Sequence, residues 1–164
     1  MKKLLSLLII SVFMGGCSLS NSINTEPAIN NNSPTPAVQT DKILDLSHKN
    51  LTKVDISIFD KTNLTELNVS YNQLTGALPS QIGKLKNLKV LNASNNQMTG
   101  VPAEVGQLNN LEILDLSNNQ LTGLPNELAN LKNLKTLNLS GNQYSEQDLN
   151  GIRNSLPNVN YILK

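Results

Sequence analysis

The residues with the most obvious capacity for chemistry are Asp45, Ser47 and His48, which lie close together in the chain. A serine, a histidine and a carboxylate can form a nucleophilic triad when their side chains converge. In a strand, however, successive side chains point to opposite faces, so this spacing does not bring the three together unless a turn intervenes. His48 is the only histidine, and we interpret it as an exposed polar side chain.

Metal-binding and phosphate-binding patterns are also weak. Asp45 and Asp115 occupy equivalent places in a repeated segment, but they are three units apart, about 14 Å at the usual strand spacing, which is too far to share one ion. The sequence contains no Cys/His cluster and no glycine loop of the phosphate-binding kind. We therefore expect no enzymatic activity, no metal and no cofactor.

The elements that must position these residues are short repeats. From the second unit onward, apolar residues fall at positions 1, 4, 6 and 11 and Asn falls at position 9. The first unit is a weaker copy, with Asp41 at position 1 and Lys49 at position 9. The regular, short interval between successive copies predicts units that stack on one another rather than an ordinary globular core. The copies are DKILDLSHKN from Asp41, LTELNVSYNQ from Leu64, LKVLNASNNQ from Leu88, LEILDLSNNQ from Leu111 and LKTLNLSGNQ from Leu134.

The LxxLxLxxNxL frame resembles the leucine-rich repeat family from Asp41 to the carboxyl terminus. Alternation at positions 4 and 6 predicts a short strand, and stacked units predict a parallel sheet over columns of leucine. The resemblance implies an α/β solenoid of about five repeats, with the sheet on the concave face and short helices or turns on the convex face. Asparagines at position 9 are expected to bond to the backbone of adjacent units, as a structural ladder of Asn72, Asn96, Asn119 and Asn142.

The segments between the strands predict the convex side and the two ends. Prolines suit the first turn of a short helix in three units, and apolar pairs should face inward. The prolines are Pro79, Pro102 and Pro125, and the pairs are Ile82 with Leu85, Val105 with Leu108 and Leu128 with Leu131. The first unit carries Phe59 instead of a proline segment and is interpreted as the amino-terminal cap. Ser145 predicts the start of a closing helix that buries Leu149, Ile152 and Leu156, with a last strand over residues 159–163.

Binding of another molecule is the role that remains, because a rigid array presents a large surface that loses little conformational entropy on binding. Positions 3, 5, 7 and 8 of each unit are expected to line the concave face, and Tyr71 is its one strong interface anchor. We expect a protein partner; the alternative is a structural or carbohydrate-binding, in particular peptidoglycan-binding, envelope component. A net charge of +1 without a basic run argues against nucleic acid. The candidate binding residues are His48, Glu66, Asn68, Tyr71, Asn92, Asn95, Asp115 and Asn118.

The amino terminus predicts export and anchoring. Lys2 and Lys3 precede an apolar run, Leu4 to Phe13, that is shorter than the roughly 20 residues of a membrane-spanning helix. Met14-Gly15-Gly16-Cys17 resembles the lipobox of bacterial lipoproteins, which implies a diacylglyceryl group on the Cys17 thiol after removal of residues 1–16. Residues 17–39 are expected to form a disordered tether rich in Asn, Ser and Pro, and residues 40–164 the repeat domain. The expected location is the bacterial cell envelope, at the outer membrane if the source is Gram-negative.

Overall fold

The computed structural model describes residues 42–164. The predicted signal peptide, Cys17 and the predicted tether lie outside this range. No helix among the described residues has the length and apolarity needed to cross a bilayer.

The described residues form eight short strands and one α-helix. They are β1 (Ile43–Asp45), β2 (Glu66–Asn68), β3 (Thr75–Gly76), β4 (Val90–Asn92), β5 (Gln97–Met98), β6 (Ile113–Asp115), β7 (Thr136–Asn138), α1 (Glu146–Ser155) and β8 (Asn160–Ile162). Six strands make a parallel sheet in the order β1-β2-β4-β6-β7-β8, and β3 pairs with β5 in a separate two-stranded sheet. Equivalent positions of neighbouring units pair directly, with Leu67 opposite Leu91 and Leu91 opposite Leu114. The predicted solenoid with a parallel sheet is confirmed.

On the side opposite the six-stranded sheet, the first four units turn back through a short 3₁₀ helix and the last unit through α1. The apolar pairs predicted from the sequence are buried there, and they meet the leucines of positions 4 and 6 in one continuous core. Leucine columns from neighbouring units therefore pack without a break, which is what makes the repeats one cooperative body. The 3₁₀ helices span Ile56–Asp60, Ser80–Lys84, Ala103–Gln107 and Asn126–Asn130.

The prolines differ from the prediction in their exact place. Pro79, Pro102 and Pro125 are the cap residues that precede the 3₁₀ helices, with ψ values of 142°, 141° and 139°. An extended ψ belongs to the segment before a helix, so these residues are not in the first turn. The fixed φ of proline sets the direction in which each helix begins. In the first unit Asp55 takes this place and accepts a hydrogen bond from the Ser57 backbone N–H at 2.9 Å.

The two ends of the solenoid are closed in different ways. Phe59 is fully buried within the first unit. At the other end α1 begins after its N-cap Ser145, buries Leu149 and Ile152, and lies beside the 3₁₀ helix Asn126–Asn130 of the preceding unit. The helix ends at Ser155, and β8 then adds the final strand beside β7. The predicted helical cap and last strand are both present.

Candidate functional site

The asparagines at position 9 connect adjacent units through their side chains. The Nδ2 of Asn96 donates to the carbonyl of Val69 at 3.0 Å in the preceding unit and to that of Ala93 at 3.1 Å in its own. Its Oδ1 accepts from the Leu74 backbone N–H at 3.0 Å. The same pattern of donors and acceptors is found at Asn72, Asn119 and Asn142. These amides satisfy backbone groups that the turn after each strand leaves without strand partners.

A second set of asparagines, which the sequence reasoning missed, performs a similar task at the start of each strand. The side-chain amides of Asn87, Asn110 and Asn133 donate to the carbonyls of Thr62, Lys86 and Asn109 at 3.0, 2.8 and 2.8 Å. Each bond reaches the preceding unit, 24 or 25 residues earlier in the chain. The signal was available, because an Asn precedes the first leucine of all four complete units.

The exposed face of the six-stranded sheet, here called the concave face, carries three rows of side chains that run from unit to unit. Row 3 contains Ile43, Glu66, Val90, Ile113 and Thr136. Row 5 contains Asp45, Asn68, Asn92, Asp115 and Asn138, and row 8 contains His48, Tyr71, Asn95, Asn118 and Gly141. All eight candidate binding residues belong to these rows. Glu66, Asn68 and Tyr71 share one unit, whereas Asp115 and Asn118 belong to the unit of β6, two strands away.

The serines at position 7 do not line the concave face, contrary to the prediction. Ser70, Ser94 and Ser117 are buried, with 2%, 4% and 5% of their surface exposed. Each donates its backbone N–H and its hydroxyl to the row 5 side chain two residues earlier; for Ser70 and Asn68 Oδ1 these distances are 3.0 and 2.7 Å. The side chain of row 5 thus folds over the serine and closes an Asx turn. Serine at this position is structural.

The same bonds fix the orientation of the row 5 amides. A backbone N–H can only donate, so the amide oxygen of Asn68 must face Ser70 and its Nδ2 must point away from the turn. Asn92 is held in the same way by the Ser94 N–H at 3.0 Å. In the first unit Asp45 Oδ1 accepts from the Ser47 N–H, which lowers the pKa of the Asp45 carboxyl below its usual value. The row therefore presents carboxylate oxygen at Asp45 and amide nitrogen at Asn68 and Asn92.

Row 8 has a backbone conformation that the sequence reasoning did not foresee. Its residues are all left-handed, with φ values of 56° at His48, 53° at Tyr71, 54° at Asn95, 51° at Asn118 and 70° at Gly141. Asparagine and glycine adopt this conformation readily, whereas a bulky side chain does so at a cost of about 1–2 kcal/mol. Asn, Asn and Gly at this place in three units were the available signal. Tyr71 is the bulkiest residue of the row.

Tyr71 and His48 form a stacked pair on this row. Their ring centroids are 4.5 Å apart and the ring planes are inclined by 12°. Both residues are exposed, and Tyr71 keeps 54% of its surface accessible. On the other side of Tyr71 the row continues with Asn95, whose Oδ1 accepts from Asn118 Nδ2 at 3.2 Å. The stacked rings are thus exposed on the concave face, next to the side-chain amides of Asn95 and Asn118.

The possible triad of Asp45, Ser47 and His48 has a different arrangement. Asp45 bonds to the Ser47 backbone N–H at 2.9 Å, and the His48 ring stacks on Tyr71. These contacts give His48 an aromatic partner and leave Asp45 to close a turn. Within residues 42–164 no group of three or more His, Cys, Asp or Glu side chains is arranged to hold a metal ion.

The ion pairs of the described residues lie off the concave rows. Lys84 pairs with Asp60 between two convex 3₁₀ helices at 2.8 Å, and the others lie at the margin of the sheet. Glu112 pairs with Lys135 and, at 3.5 Å, with Lys89. The hydrogen bond from Lys135 is the main cause of the lowered pKa of the Glu112 carboxyl. On the concave rows of the five units the formal charges are Asp45, Glu66 and Asp115, and no Lys or Arg occupies those rows. The concave face is therefore acidic although the whole chain is close to neutral.

Comparison with known proteins places this architecture in a family. A family model described as a leucine-rich repeat region matches residues 21–156. No curated protein is significantly similar to the chain. Among solved structures, a leucine-rich repeat protein of Leptospira interrogans is 42% identical, with a TM-score of 0.69 over 73% of this chain and 30% of its own.

Plant ectodomains are also similar. The ectodomain of the Arabidopsis thaliana membrane receptor kinase GASSHO1/SCHENGEN3, solved in complex with CASPARIAN STRIP INTEGRITY FACTOR 2, is 38% identical, with a TM-score of 0.53 over 56% of this chain and 11% of its own. A chain of the A. thaliana BIR3–SERK2 complex is 34% identical, with a TM-score of 0.57 over 62% of this chain and 56% of its own. The present chain thus spans less than two thirds of each of these three proteins.

Leucine-rich repeat domains generally mediate protein–protein interactions, and the fold is typically a non-enzymatic binding scaffold. The repeat frame, the parallel sheet and the family match over residues 21–156 agree. The chain belongs to the leucine-rich repeat family.

Proposed function

We propose that this chain is a non-enzymatic protein-binding module that recognises its partner through the concave face and is displayed on the bacterial cell envelope by a lipid anchor on Cys17. The observation that supports the binding role most strongly is the exposed His48–Tyr71 stack. Tyr71 occupies a left-handed backbone position where asparagine or glycine would avoid strain. Strained residues of this kind cluster at binding and active sites.

The surroundings of the stack suit a protein partner. Tyrosine is among the side chains that dominate interface energies, since it buries a large ring and offers a hydroxyl. Around Tyr71 the concave face combines exposed Ile43 and Ile113 with outward amides at Asn68 and Asn92. Because the ladder asparagines and the leucine core hold the strands in register, binding needs little ordering of the surface.

The envelope display rests on the amino-terminal sequence. Removal of residues 1–16 would leave Cys17 as the new amino terminus, with its thiol available for a thioether lipid. Several acyl chains would then hold the protein, since each buried methylene contributes about 0.8 kcal/mol. Two of the similar structures, the GASSHO1/SCHENGEN3 ectodomain and the BIR3–SERK2 complex, were solved as complexes, and the first of these ectodomains belongs to a membrane receptor.

The binding role can be tested by affinity capture from an envelope extract with the full chain immobilised. Tyr71→Asn removes the ring but keeps a residue suited to the left-handed conformation. Ile56→Asn is the matched control, because Ile56 is 60% exposed on the convex side. We expect a specific protein to be retained by wild type and by Ile56→Asn and lost with Tyr71→Asn. Retention that is equal for all three chains, or selective retention of peptidoglycan fragments alone, contradicts the proposal; the second result favours the carbohydrate-binding alternative.

The anchor has its own test. Cys17→Ser should abolish incorporation of labelled fatty acid into the chain and leave an unprocessed precursor, whereas Cys17 intact should give a labelled, shortened product. Labelling that persists in the Cys17→Ser chain would rule out this residue as the lipidation site.

A further inference from the structure

The concave face has a recess that the proposed function does not yet use. It has a volume of about 220 Å³ and lies across β1, β2 and β4. Its lining includes Asp45 and Glu66, the apolar side chains Ile43 and Val90, and the amides of Asn68 and Asn92. Sites for whole small molecules have volumes of roughly 300–1,000 Å³, so a recess of this size suits one side chain.

No ion pair within residues 42–164 neutralises the negative charge of the recess, although Lys49 and His48 lie near enough to Asp45 to favour its charged form. Asp45 and Glu66 lie on neighbouring strands, because Ile43 pairs with Glu66 and Asp45 pairs with Asn68. Neither carboxylate is in a salt bridge with any residue of the described range, although Lys84, Lys89 and Lys135 are paired elsewhere. Two carboxylates on adjacent strands that lack an ion-pair partner attract a cation that approaches the recess.

The walls of the recess define what kind of cation fits. Ile43 is 57% exposed and forms an apolar wall with Val90 on the other side of Glu66. Lys and Arg side chains pack their methylene stems against apolar surface while the charged end reaches a carboxylate. A bare metal ion would leave these walls unused. The outward Nδ2 groups of Asn68 and Asn92 are donors, which suit the backbone carbonyls of a polypeptide.

Resting on the proposed protein-binding function, we propose that this recess receives a Lys or Arg side chain of the protein partner. The stem of that side chain lies between Ile43 and Val90, and its charged end binds Asp45 and Glu66. The amides of Asn68 and Asn92 bond to the partner's backbone. Tyr71, in the same unit as Glu66, anchors the neighbouring part of the same segment.

The test uses random heptapeptides displayed on phage and selected on the immobilised full chain. Wild type should enrich peptides with Lys or Arg at one fixed position. Asp45→Asn combined with Glu66→Gln should remove that preference while the fold is kept, because Asn already occupies row 5 in the next two units. Glu104→Gln combined with Glu127→Gln, two acids of the convex helices, is the matched control and should enrich the same peptides as wild type.

A synthetic copy of an enriched peptide allows the contact to be measured. Replacing its basic residue by norleucine, which keeps the stem and removes the charge, should weaken binding to wild type about five- to tenfold and leave binding to the double variant unchanged. Peptides that require Tyr71 but share no basic residue overturn this inference and leave the proposed function standing. Peptides that bind equally to the Tyr71→Asn chain contradict the proposed function itself, and an absence of any enrichment counts against the recess as a peptide site.

Discussion

At the scale of single residues, the direction of a side chain depends on whether its residue lies within a strand or at the end of one. Leucines at positions 4 and 6 are buried because their spacing alone determines which face of the strand they occupy. Strand alternation predicts that the serines at position 7 face outward, but Ser70, Ser94 and Ser117 are buried. They lie beyond the end of the strand, where alternation no longer applies. Ser117 is held inward by Asp115, whose Oδ1 accepts its hydroxyl at 2.7 Å. A local hydrogen bond, rather than strand alternation, therefore determines the direction of the serine side chain.

The strained position of Tyr71 leads to a prediction about stability. Tyr71→Asn relieves the left-handed strain but loses the stack on His48, and the two effects are of similar size, about 1 kcal/mol each. We therefore expect the free energy of unfolding, measured by urea titration, to stay within about 1 kcal/mol of wild type. A loss clearly larger than the stack alone can supply would mean that the aromatic pair serves mainly to hold the first units together.

For the ladder asparagines, in contrast to Tyr71, we expect substitution to lower the free energy of unfolding. Asn119 donates to the carbonyls of Ala93, Leu116 and Ser117 and accepts from the Met98 N–H. Asn119→Ala leaves the buried Met98 N–H without an acceptor and removes one donor from each of the three carbonyls, which keep a second donor each. This loss should cost about 1–3 kcal/mol. Asn109→Ala, at an exposed position, is the control and should be near neutral. Equal urea midpoints for the two variants would contradict the structural role of the ladder.

At the scale of elements, the sequence predicted which segments form strands and which form the convex side, but not how closely neighbouring units approach. The 3₁₀ helix Ala103–Gln107 packs against Asn126–Asn130 at Gly106. A Cβ on Gly106 would lie 2.2 Å from the Glu127 carbonyl oxygen. Such a contact depends on the distance between two elements, so a pattern within one unit cannot reveal it.

Gly106→Ala should consequently force the two convex helices apart and lower the free energy of unfolding by about 2–3 kcal/mol. Gly83→Ala is the matched change in the preceding unit. There the nearest atom to the added methyl is the flexible end of Gln107, at 3.0 Å, so a smaller loss is expected. Thermal melting of both variants tests the comparison, and a melting temperature for Gly106→Ala at or above that of Gly83→Ala would contradict it.

The cap of the first 3₁₀ helix should make stability depend on acid pH. The Asp55 carboxylate accepts the Ser57 N–H, which lowers its pKa from the ordinary 3.8. A folded-state pKa below the unfolded one means that the stabilisation is complete above the unfolded value and disappears as the pH falls through the folded value. Asp55→Asn keeps a cap acceptor that does not titrate.

The stability difference between wild type and Asp55→Asn should therefore be constant above about pH 5. Below pH 3.8, the ordinary pKa of this carboxyl, wild type should lose stability relative to Asp55→Asn. Urea titration of both chains at a series of pH values measures the difference. A difference that is the same at every pH would contradict this role for Asp55.

At the scale of the whole molecule, a constant repeat period was sufficient to predict the solenoid, because every unit repeats the same core contacts. The candidate site was predicted only in part. Row positions followed from the period. The left-handed row 8 and the outward amides depend on the local turn after each strand, which strand alternation does not describe. The acidic recess depends on contacts between units. The leucines and ladder asparagines thus maintain the stack, whereas the residues of the concave rows differ from unit to unit.

We propose that the concave face contacts a protein partner, and photo-crosslinking in living cells can detect that contact. p-Benzoylphenylalanine placed at Tyr71 keeps an aromatic ring on the concave face, and the same residue placed at Ile56 provides the convex control. We expect irradiation to give a discrete protein adduct of the full chain from position 71 and none from position 56. An adduct from position 56 alone, or no protein adduct from position 71, would contradict the account.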